Sequence, residues 1–185
     1  MKDPLFLAET AEFAAKGRFI LKKPAKNIAA VVYALAEPVA ESLGLVLWDV
    51  EYVKEGTEWY LRITIDTEEG VTIDDCERMH RAIDPLLDEA DPIENSYHLE
   101  VSSPGLEREL KNDFHLAACC GEAVEVRLFA PVDGAKVWSG ILAPIDDDGR
   151  ICIETAEGLR AFDRAAVARV RTVFDFEGGI GDFDE

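Results

Sequence analysis

Apolar positions in the first half of the chain change their spacing several times, and the order of these changes predicts a small α/β module. Helical spacing covers residues 27–43 and 72–90, and strand-like alternation covers residues 45–53, 59–65 and 97–102. Asn27 is a candidate N-cap for the first helix, and Thr72 and Asp75 have the spacing of a capping box before the second. The order αββαβ predicts a three-stranded sheet covered by two helices.

Two prolines are expected to disturb the predicted helices, and one loop is expected to join the first two strands. Pro38 and Pro85 fall inside the predicted helices, where a proline removes a backbone hydrogen bond and crowds the preceding turn. We therefore expect a weakened last turn in the first helix and a kink or split in the second. Residues 54–58 are expected to form the hairpin loop between the first two strands.

The third strand ends in a stiff turn. Its alternation stops at Ser103, where Pro104 fixes its own φ and Gly105 permits a positive φ. We predict a fixed-angle connector between two modules, with Arg108 directed to solvent or to a partner. Its residues are Ser102, Ser103, Pro104, Gly105, Leu106 and Arg108.

The second half of the chain has shorter apolar stretches, which predict a helical turn and five strands. The helix is expected within 112–120, and the strands at 123–129, 136–145, around Ile151 and Ile153, at 159–162 and at 170–174. Gly140 lies inside the second strand and predicts a sharp bend there. Five short strands with one bend are typical of a small β-barrel, which rolls up to hide its edges.

These patterns divide the chain into five parts. We predict an N-terminal arm at 1–27, an acidic α/β domain at 28–105, a linker at 106–111, a barrel domain at 112–176 and an acidic tail at 177–185.

Charge separates the two modules. The whole chain has a formal net charge of −19, and residues 31–110 contain 5 basic and 20 acidic residues, against 8 basic and 10 acidic in residues 111–174. A surface this acidic repels a phosphate backbone at long range and attracts basic proteins. The alternative is that the acidic surface only keeps the protein soluble.

No motif in the chain predicts catalysis, a metal or a cofactor. The sequences GxSxG, GxxxxGK[ST] and GxGxxG are absent, and the four cysteines lack the spacing of a zinc site. His98 and Ser102 share a strand face, as a catalytic pair would, but a solvent-facing histidine beside a turn explains them better. Residues 146–149 are expected to form a tight turn. No apolar run reaches membrane-spanning length and the N-terminus does not resemble a signal peptide, so we expect a cytoplasmic protein with reduced cysteines.

Two sets of charged residues are candidate binding groups. Asp49 and Glu51 are predicted to share a strand face with Leu47 and Val53, and we favour a charged binding surface over acid–base catalysis. Arg169 and Arg171 flank Val170 and share a strand face, and with Arg127 and Lys136 they predict a modest basic stripe. Ordinary solvated surface is the alternative for these cations.

The segment 99–108, which reads LEVSSPGLER, resembles the signature of the RimP family of bacterial ribosome maturation factors. Further matching pieces lie at 47–52, 63–66, 91–93 and 134–140, so the resemblance spans about residues 28–176. In that family the signature joins an α/β N-terminal domain to an Sm-like β-barrel. The resemblance therefore implies an α+β chain with an αββαβ domain followed by an Sm-like barrel.

The same resemblance implies a function. The chain would be a non-catalytic, monomeric factor that binds the immature small ribosomal subunit, through ribosomal proteins and small-subunit rRNA, and promotes its assembly. It would need no cofactor, small-molecule substrate or membrane. The candidate ribosome-binding residues are Asp49, Glu51, Arg127, Lys136, Arg169 and Arg171. Two alternatives stay open: an Sm-like RNA chaperone that oligomerises through barrel edges, and an enzyme that modifies ribosomal components.

Overall fold

The computed structural model describes residues 27–174, which form two compact units that divide between Pro104 and Gly105. The predicted arm, except for Asn27, and the predicted acidic tail lie outside these residues. The described part contains three α-helices, a three-stranded sheet and a five-stranded antiparallel sheet, which confirms the α+β class. None of these three helices is both long and apolar enough to cross a membrane.

The first unit has the predicted order αββαβ. Its elements are α1 (Ile28–Ser42), β1 (Val46–Glu55), β2 (Glu58–Asp66), α2 (Ile73–Ala90) and β3 (His98–Ser102). Strand β2 lies in the centre, antiparallel to β1 and parallel to β3. The hairpin loop predicted at 54–58 is shorter than expected, because strand pairing continues to Glu55 and Glu58 and leaves only a two-residue turn.

Both helices pass their prolines without a break. Pro38 lies inside α1 and Pro85 inside α2, so the predicted split of the second helix does not occur. Both prolines are exposed. On the solvent side of a helix, water can bind the carbonyl group that a proline leaves without a donor, so the cost is smaller than in a core.

Both helices pack on one face of the three-stranded sheet. Their buried residues join those of the strands in one core, formed by Val32, Ala36, Ala40, Leu45, Leu47, Val50, Leu61, Ile63, Ile65, Met79, Ile83, Leu87 and Ile93. Burial of each large aliphatic side chain contributes about 1.5–3 kcal/mol. This core fixes which face of the sheet remains available for other roles.

Helix α2 begins with the predicted capping box, which is confirmed. The Thr72 hydroxyl accepts a hydrogen bond from the backbone N–H of Asp75 (3.3 Å), and the Asp75 carboxylate accepts one from the backbone N–H of Thr72 (2.9 Å). Both amides would otherwise lack partners at the start of the helix. Asn27, by contrast, occupies the N-cap position of α1 but makes no capping hydrogen bond through its side chain.

The second unit begins with a short helix and continues as a five-stranded sheet. Its elements are α3 (Asp113–Ala118), β4 (Ala123–Val132), β5 (Ala135–Ala143), β6 (Ile151–Thr155), β7 (Gly158–Phe162), a 3-10 turn (Arg164–Ala166) and β8 (Val167–Thr172). The strand order is β7-β6-β5-β4-β8, and every neighbouring pair is antiparallel. The gap left between the predicted strands at 123–129 and 136–145 shrinks to a turn of Asp133 and Gly134, which both have positive φ.

Gly140 is required by the approach of two strands. A Cβ at this position would lie 2.4 Å from the carbonyl oxygen of Glu154 on β6. No side chain fits at that distance, so β5 and β6 come together here only because residue 140 is glycine. The sequence predicted a bend at Gly140. What the structure shows there is the close approach of β5 and β6, which requires a residue without a side chain.

Residues 106–110 run along the outer edge of β8. The backbone N–H of Thr172 donates to the carbonyl of Arg108 (2.9 Å), and the N–H of Leu110 donates to the carbonyl of Val170 (2.9 Å). Between these two bonds, Glu109 faces Arg171 in an isolated antiparallel bridge. We call residues 106–110 the edge segment. Most of the predicted linker at 106–111 is therefore hydrogen-bonded to the second unit.

Candidate functional site

The face of the three-stranded sheet opposite the helices is rich in carboxylates. Strand alternation and register place Asp49, Glu51, Glu55, Glu58, Asp66 and Glu100 on it, together with Arg62 and His98. We call this the acidic face. It contains Asp49 and Glu51, the two carboxylates that were predicted to be binding residues, and both are half-buried.

A β-bulge changes which residues share a strand face with Asp49 and Glu51. The register of β1 against β2 shifts between Leu47 and Asp49, so Trp48 is an extra residue in β1. Leu47 therefore lies in the core, whereas Asp49, Glu51 and Val53 share the opposite face. The prediction that Leu47 lies on the same face as Asp49 is wrong, because simple alternation takes no account of the inserted residue.

Arg62 links carboxylates across the acidic face. Its Nη1 donates to Glu55 Oε1 (2.8 Å) and its Nε donates to Glu100 Oε2 (2.7 Å), while its guanidinium lies 5.3 Å from the ring centre of Tyr60. The hydrogen bond to Arg62 lowers the pKa of Glu55, and the bonds to Glu55 and Glu100 raise the pKa of Arg62. One guanidinium therefore offsets only part of the negative charge on this face.

Two tyrosines lie near further carboxylates of the first unit. Burial raises the pKa of Tyr33, with smaller contributions from Glu37 and Asp49, and it raises the pKa of Tyr97, with smaller contributions from acidic residues at the end of α2 and just after it. Those acidic residues are Asp84, Asp88 and Asp91. The negative potential that the composition predicted therefore extends beyond the acidic face.

The turn residues after β3 occupy a partly exposed stretch. Ser102, Ser103 and Gly105 are exposed, Pro104 is half-buried, and 61% of Leu106 is accessible to solvent. Gly105 has φ +74°, so it uses the conformational freedom that the sequence analysis assigned to it.

Arg108 takes part in a local turn. It is half-buried, its Nε donates to the carbonyl of Gly105 (3.1 Å), and its backbone N–H donates to the Thr172 hydroxyl (2.7 Å). Its predicted exposure to solvent or to a partner stays a prediction.

Three of the four predicted basic residues share a face of the five-stranded sheet. Arg127 on β4 is directly opposite Arg169 on β8, and Arg171 lies two residues further along β8 on the same face. Lys136 on β5 precedes Val137, the cross-strand neighbour of Arg127, so alternation directs it to the opposite face. The structure thus brings the three arginines together and separates Lys136 from them.

Carboxylates accompany two of these arginines. Arg171 pairs with Glu107 (3.2 Å) and Glu125 (3.3 Å), and Arg169 Nε lies 3.6 Å from Glu109. Arg127 is exposed and has no ion pair among residues 27–174. The predicted basic stripe is therefore a mixed face with alternating charge, in which Arg127 is the cation best placed to meet a ligand anion.

Sequence reasoning missed the residues that organise this face. The partners Glu107, Glu109 and Glu125 and the anchor Thr172 were not selected. One signal was available for Thr172, because alternation with Val170 places it on the buried face of β8, where a hydroxyl needs a hydrogen-bond partner.

The described groups show no arrangement for metal binding. Residues 27–174 contain no cluster of three or more His, Cys, Asp and Glu side chains that fits a metal ion. The aspartate run at 146–149 forms the predicted turn, in which Asp146 accepts hydrogen bonds from the backbone N–H (2.8 Å) and the Nε (2.8 Å) of Arg150. These bonds lower the pKa of Asp146.

Comparison with protein families finds a match to the RimP N-terminal domain over residues 35–107. This match supports a RimP-family assignment for the chain. The matched range runs from the middle of α1 through β3 and into the edge segment, so it covers most of the acidic first unit. RimP proteins are ribosome maturation factors, and the expected partners of a RimP chain are ribosome-related.

Proposed function

We propose that this chain is a non-catalytic ribosome maturation factor that acts in the cytoplasm, binds the immature small ribosomal subunit and promotes its assembly. The match of residues 35–107 to the RimP N-terminal domain carries this proposal. The predicted partners are ribosomal proteins and small-subunit rRNA, engaged by a monomer. Such a factor works by binding some assembly states more tightly than others, without any bond chemistry.

The acidic face is the proposed docking surface for a basic ribosomal protein. Asp49, Glu51 and four further carboxylates lie on it, and only Arg62 and His98 oppose them among the described strands. Complementary charge increases the rate of encounter and suppresses binding to bare phosphate. A protein partner therefore suits this unit better than rRNA.

The second unit is the proposed Sm-like barrel. Three observations support this assignment: a helix precedes five strands, the strand order is β7-β6-β5-β4-β8, and β5 and β6 approach closely at Gly140. We propose that its mixed face docks on protein or rRNA through Arg127, Arg169 and Arg171. Lys136 contributes from the opposite face of β5.

The decisive experiment is co-sedimentation of the purified chain with immature and mature small-subunit particles at moderate salt. We expect association with the immature particle and weaker association with the mature one. Absence of association with the immature particle contradicts the proposal.

A matched pair of variants tests the acidic face. Glu51→Lys with Glu58→Lys reverses charge on the face and should reduce affinity about tenfold or more. Glu68→Lys with Glu69→Lys makes the same change of net charge in an exposed loop between β2 and α2 and should alter affinity less than about twofold. Equal losses in both variants would mean that total charge, and not this face, determines binding.

A single substitution separates the binding factor from an enzyme. His98 lies 3.6 Å from Glu58 on the acidic face and is the histidine there that a proton-transfer mechanism would use. Under our proposal His98→Gln leaves maturation activity within about twofold, whereas loss of an acid–base catalyst costs about 10²–10⁴-fold.

The Sm-like RNA chaperone is the second candidate, because the strand order of the second unit also fits an oligomeric barrel. Light scattering separates the two functions. A mass near 20.5 kDa supports the maturation factor, and a ring several times heavier supports the chaperone.

A further inference from the structure

The five-stranded sheet ends in two edge strands with different surroundings. The order β7-β6-β5-β4-β8 makes β7 and β8 the edges. An exposed edge strand offers unpaired backbone groups on which a strand of another molecule can add. If both edges were open, β7 of one copy and β8 of the next would form a head-to-tail contact, which propagates into rings or filaments.

The β8 edge is already occupied by the chain itself. The edge segment takes the backbone N–H of Thr172 and the carbonyl of Val170, which are among the groups that an added strand would use. In the described part of the chain, β7 pairs with β6 alone, and 66% of Leu159 on β7 is accessible to solvent. Among residues 27–174, the β8 edge is therefore covered at Val170–Thr172, whereas the β7 edge is open.

The hydroxyl of Thr172 fixes the edge segment from inside the unit. It accepts a hydrogen bond from the backbone N–H of Arg108 (2.7 Å) and donates one to the carbonyl of Leu106 (2.8 Å). Thr172 is only 3% exposed and Leu110 only 6%. An alternative partner strand at this edge would have to displace buried contacts as well as backbone hydrogen bonds.

Side chains hold the same segment from the exposed side. Glu107 pairs with Arg171 (3.2 Å), and Glu109 lies 3.6 Å from Arg169. These ion pairs are exposed and individually weak. They nevertheless set the register, because each glutamate faces an arginine of β8 and the segment would lose both contacts if it slipped by one residue.

We propose that the edge segment is a cap that prevents self-assembly through the five-stranded sheet. It covers the β8 edge at Val170–Thr172 and denies this stretch to β7 of a second copy, so the chain remains a monomer although β7 has no second partner strand among the described residues. The cap consists of residues of the same unit, so its protection does not depend on any partner.

Net charge offers a competing explanation for a monomer, and salt distinguishes the two. Copies with a net charge of −19 repel each other, but salt at about 0.5 M screens this repulsion over a few ångströms. A cap made of backbone hydrogen bonds and buried contacts is insensitive to such screening. The wild-type chain should therefore remain near 20.5 kDa at low and at high salt.

The test combines light scattering with amide hydrogen exchange on the full chain. Thr172→Val removes both hydroxyl contacts with little change of shape, and Glu107→Lys with Glu109→Lys places lysines near Arg171 and Arg169. In this triple variant we expect exchange at Leu110 to become at least about tenfold faster and the mass to rise to at least twice the monomer value at high salt. The matched control, Glu68→Lys with Glu69→Lys, should stay monomeric.

Two further variants decide the remaining outcomes. Adding Leu159→Lys to the triple variant places a charge on the β7 edge and should restore the monomer. If exchange at Leu110 stays slow in the triple variant, Leu110→Pro is added, because proline removes the N–H that Val170 accepts, and the mass is measured on that protein. A monomeric protein with a released cap, or a wild-type chain that assembles once salt is added, overturns the proposal.

Discussion

Thr72 and Asp75 show how two short side chains determine where a helix starts. Thr72→Ala removes the hydroxyl that accepts the Asp75 N–H, so the first turn of α2 loses a cap. We expect a loss of about 1 kcal/mol in the free energy of unfolding, measured by urea denaturation. Thr57→Ala, in the exposed turn between β1 and β2, is the control and should change stability by less than about 0.5 kcal/mol.

The same pair predicts a pH effect. The Thr72 hydroxyl, its backbone N–H and the Arg78 guanidinium together lower the pKa of Asp75 from 3.8 to about 2. Because the folded pKa lies below the unfolded one, the stabilisation is complete above about pH 4 and is lost as the pH falls through about 2. Carboxyl-carbon NMR should give a midpoint near 2 in the wild-type chain, and a midpoint of 3.8 or above would contradict the capping geometry.

Replacement of Gly140 should lower the stability of the second unit. Gly140→Ala places a Cβ against the Glu154 carbonyl, a backbone atom that cannot move away without separating β5 from β6. We expect a loss of about 3 kcal/mol in the free energy of unfolding. Ser139→Ala, one residue away and exposed, is the control and should cost less than about 0.5 kcal/mol, so equal losses would contradict this account.

At the level of helices and strands, apolar spacing predicted the order of all elements in the first unit, because apolar residues recur on the core-facing side of the helices and strands. The prediction of strand faces failed where one inserted residue interrupts the alternation. Trp48 is inserted into β1, and only pairing with β2 reveals the shift of register. The hairpins were predicted too long, since pairing continues up to the two central turn residues, as at Asp133 and Gly134.

The candidate site was predictable in composition but not in pairing. Asp49, Glu51 and the arginines of β8 could be selected from charge and alternation. Their ion-pair partners could not be predicted, because Glu107 and Arg171 lie 64 residues apart in the chain and come together only in the folded unit. Long-range register is set by the whole fold, so a local pattern contains no information about it.

The mixed face of the five-stranded sheet predicts different salt behaviour for two arginines. If Arg127 binds an rRNA phosphate, Arg127→Gln should lower the slope of log affinity against log salt by about one. Arg171→Gln should change that slope less, because Arg171 already neutralises Glu107 and Glu125. Affinities measured at four or more salt concentrations test this, and equal changes of slope in both variants would contradict the role of ion pairing.

For the whole molecule, the two units divide the negative charge unequally and are proposed to bind separate ligand groups. Glu51 and Arg127 lie in different units. We therefore expect the free-energy losses of Glu51→Lys and Arg127→Gln to add within about 0.5 kcal/mol in the double variant. Titration with immature particles measures this sum, and a strongly non-additive double variant would show that both residues report one shared contact.

The edge segment also has a consequence for synthesis. Arg108 and Thr172 meet across 64 residues, so the second unit stays incomplete until β8 has left the ribosomal exit tunnel. The parallel pairing of Tyr60 with His98 spans a far shorter stretch, and the first unit can close earlier. Because domains generally fold as units during translation, we expect the nascent chain to carry a finished acidic domain while the strands of its five-stranded sheet are still being made.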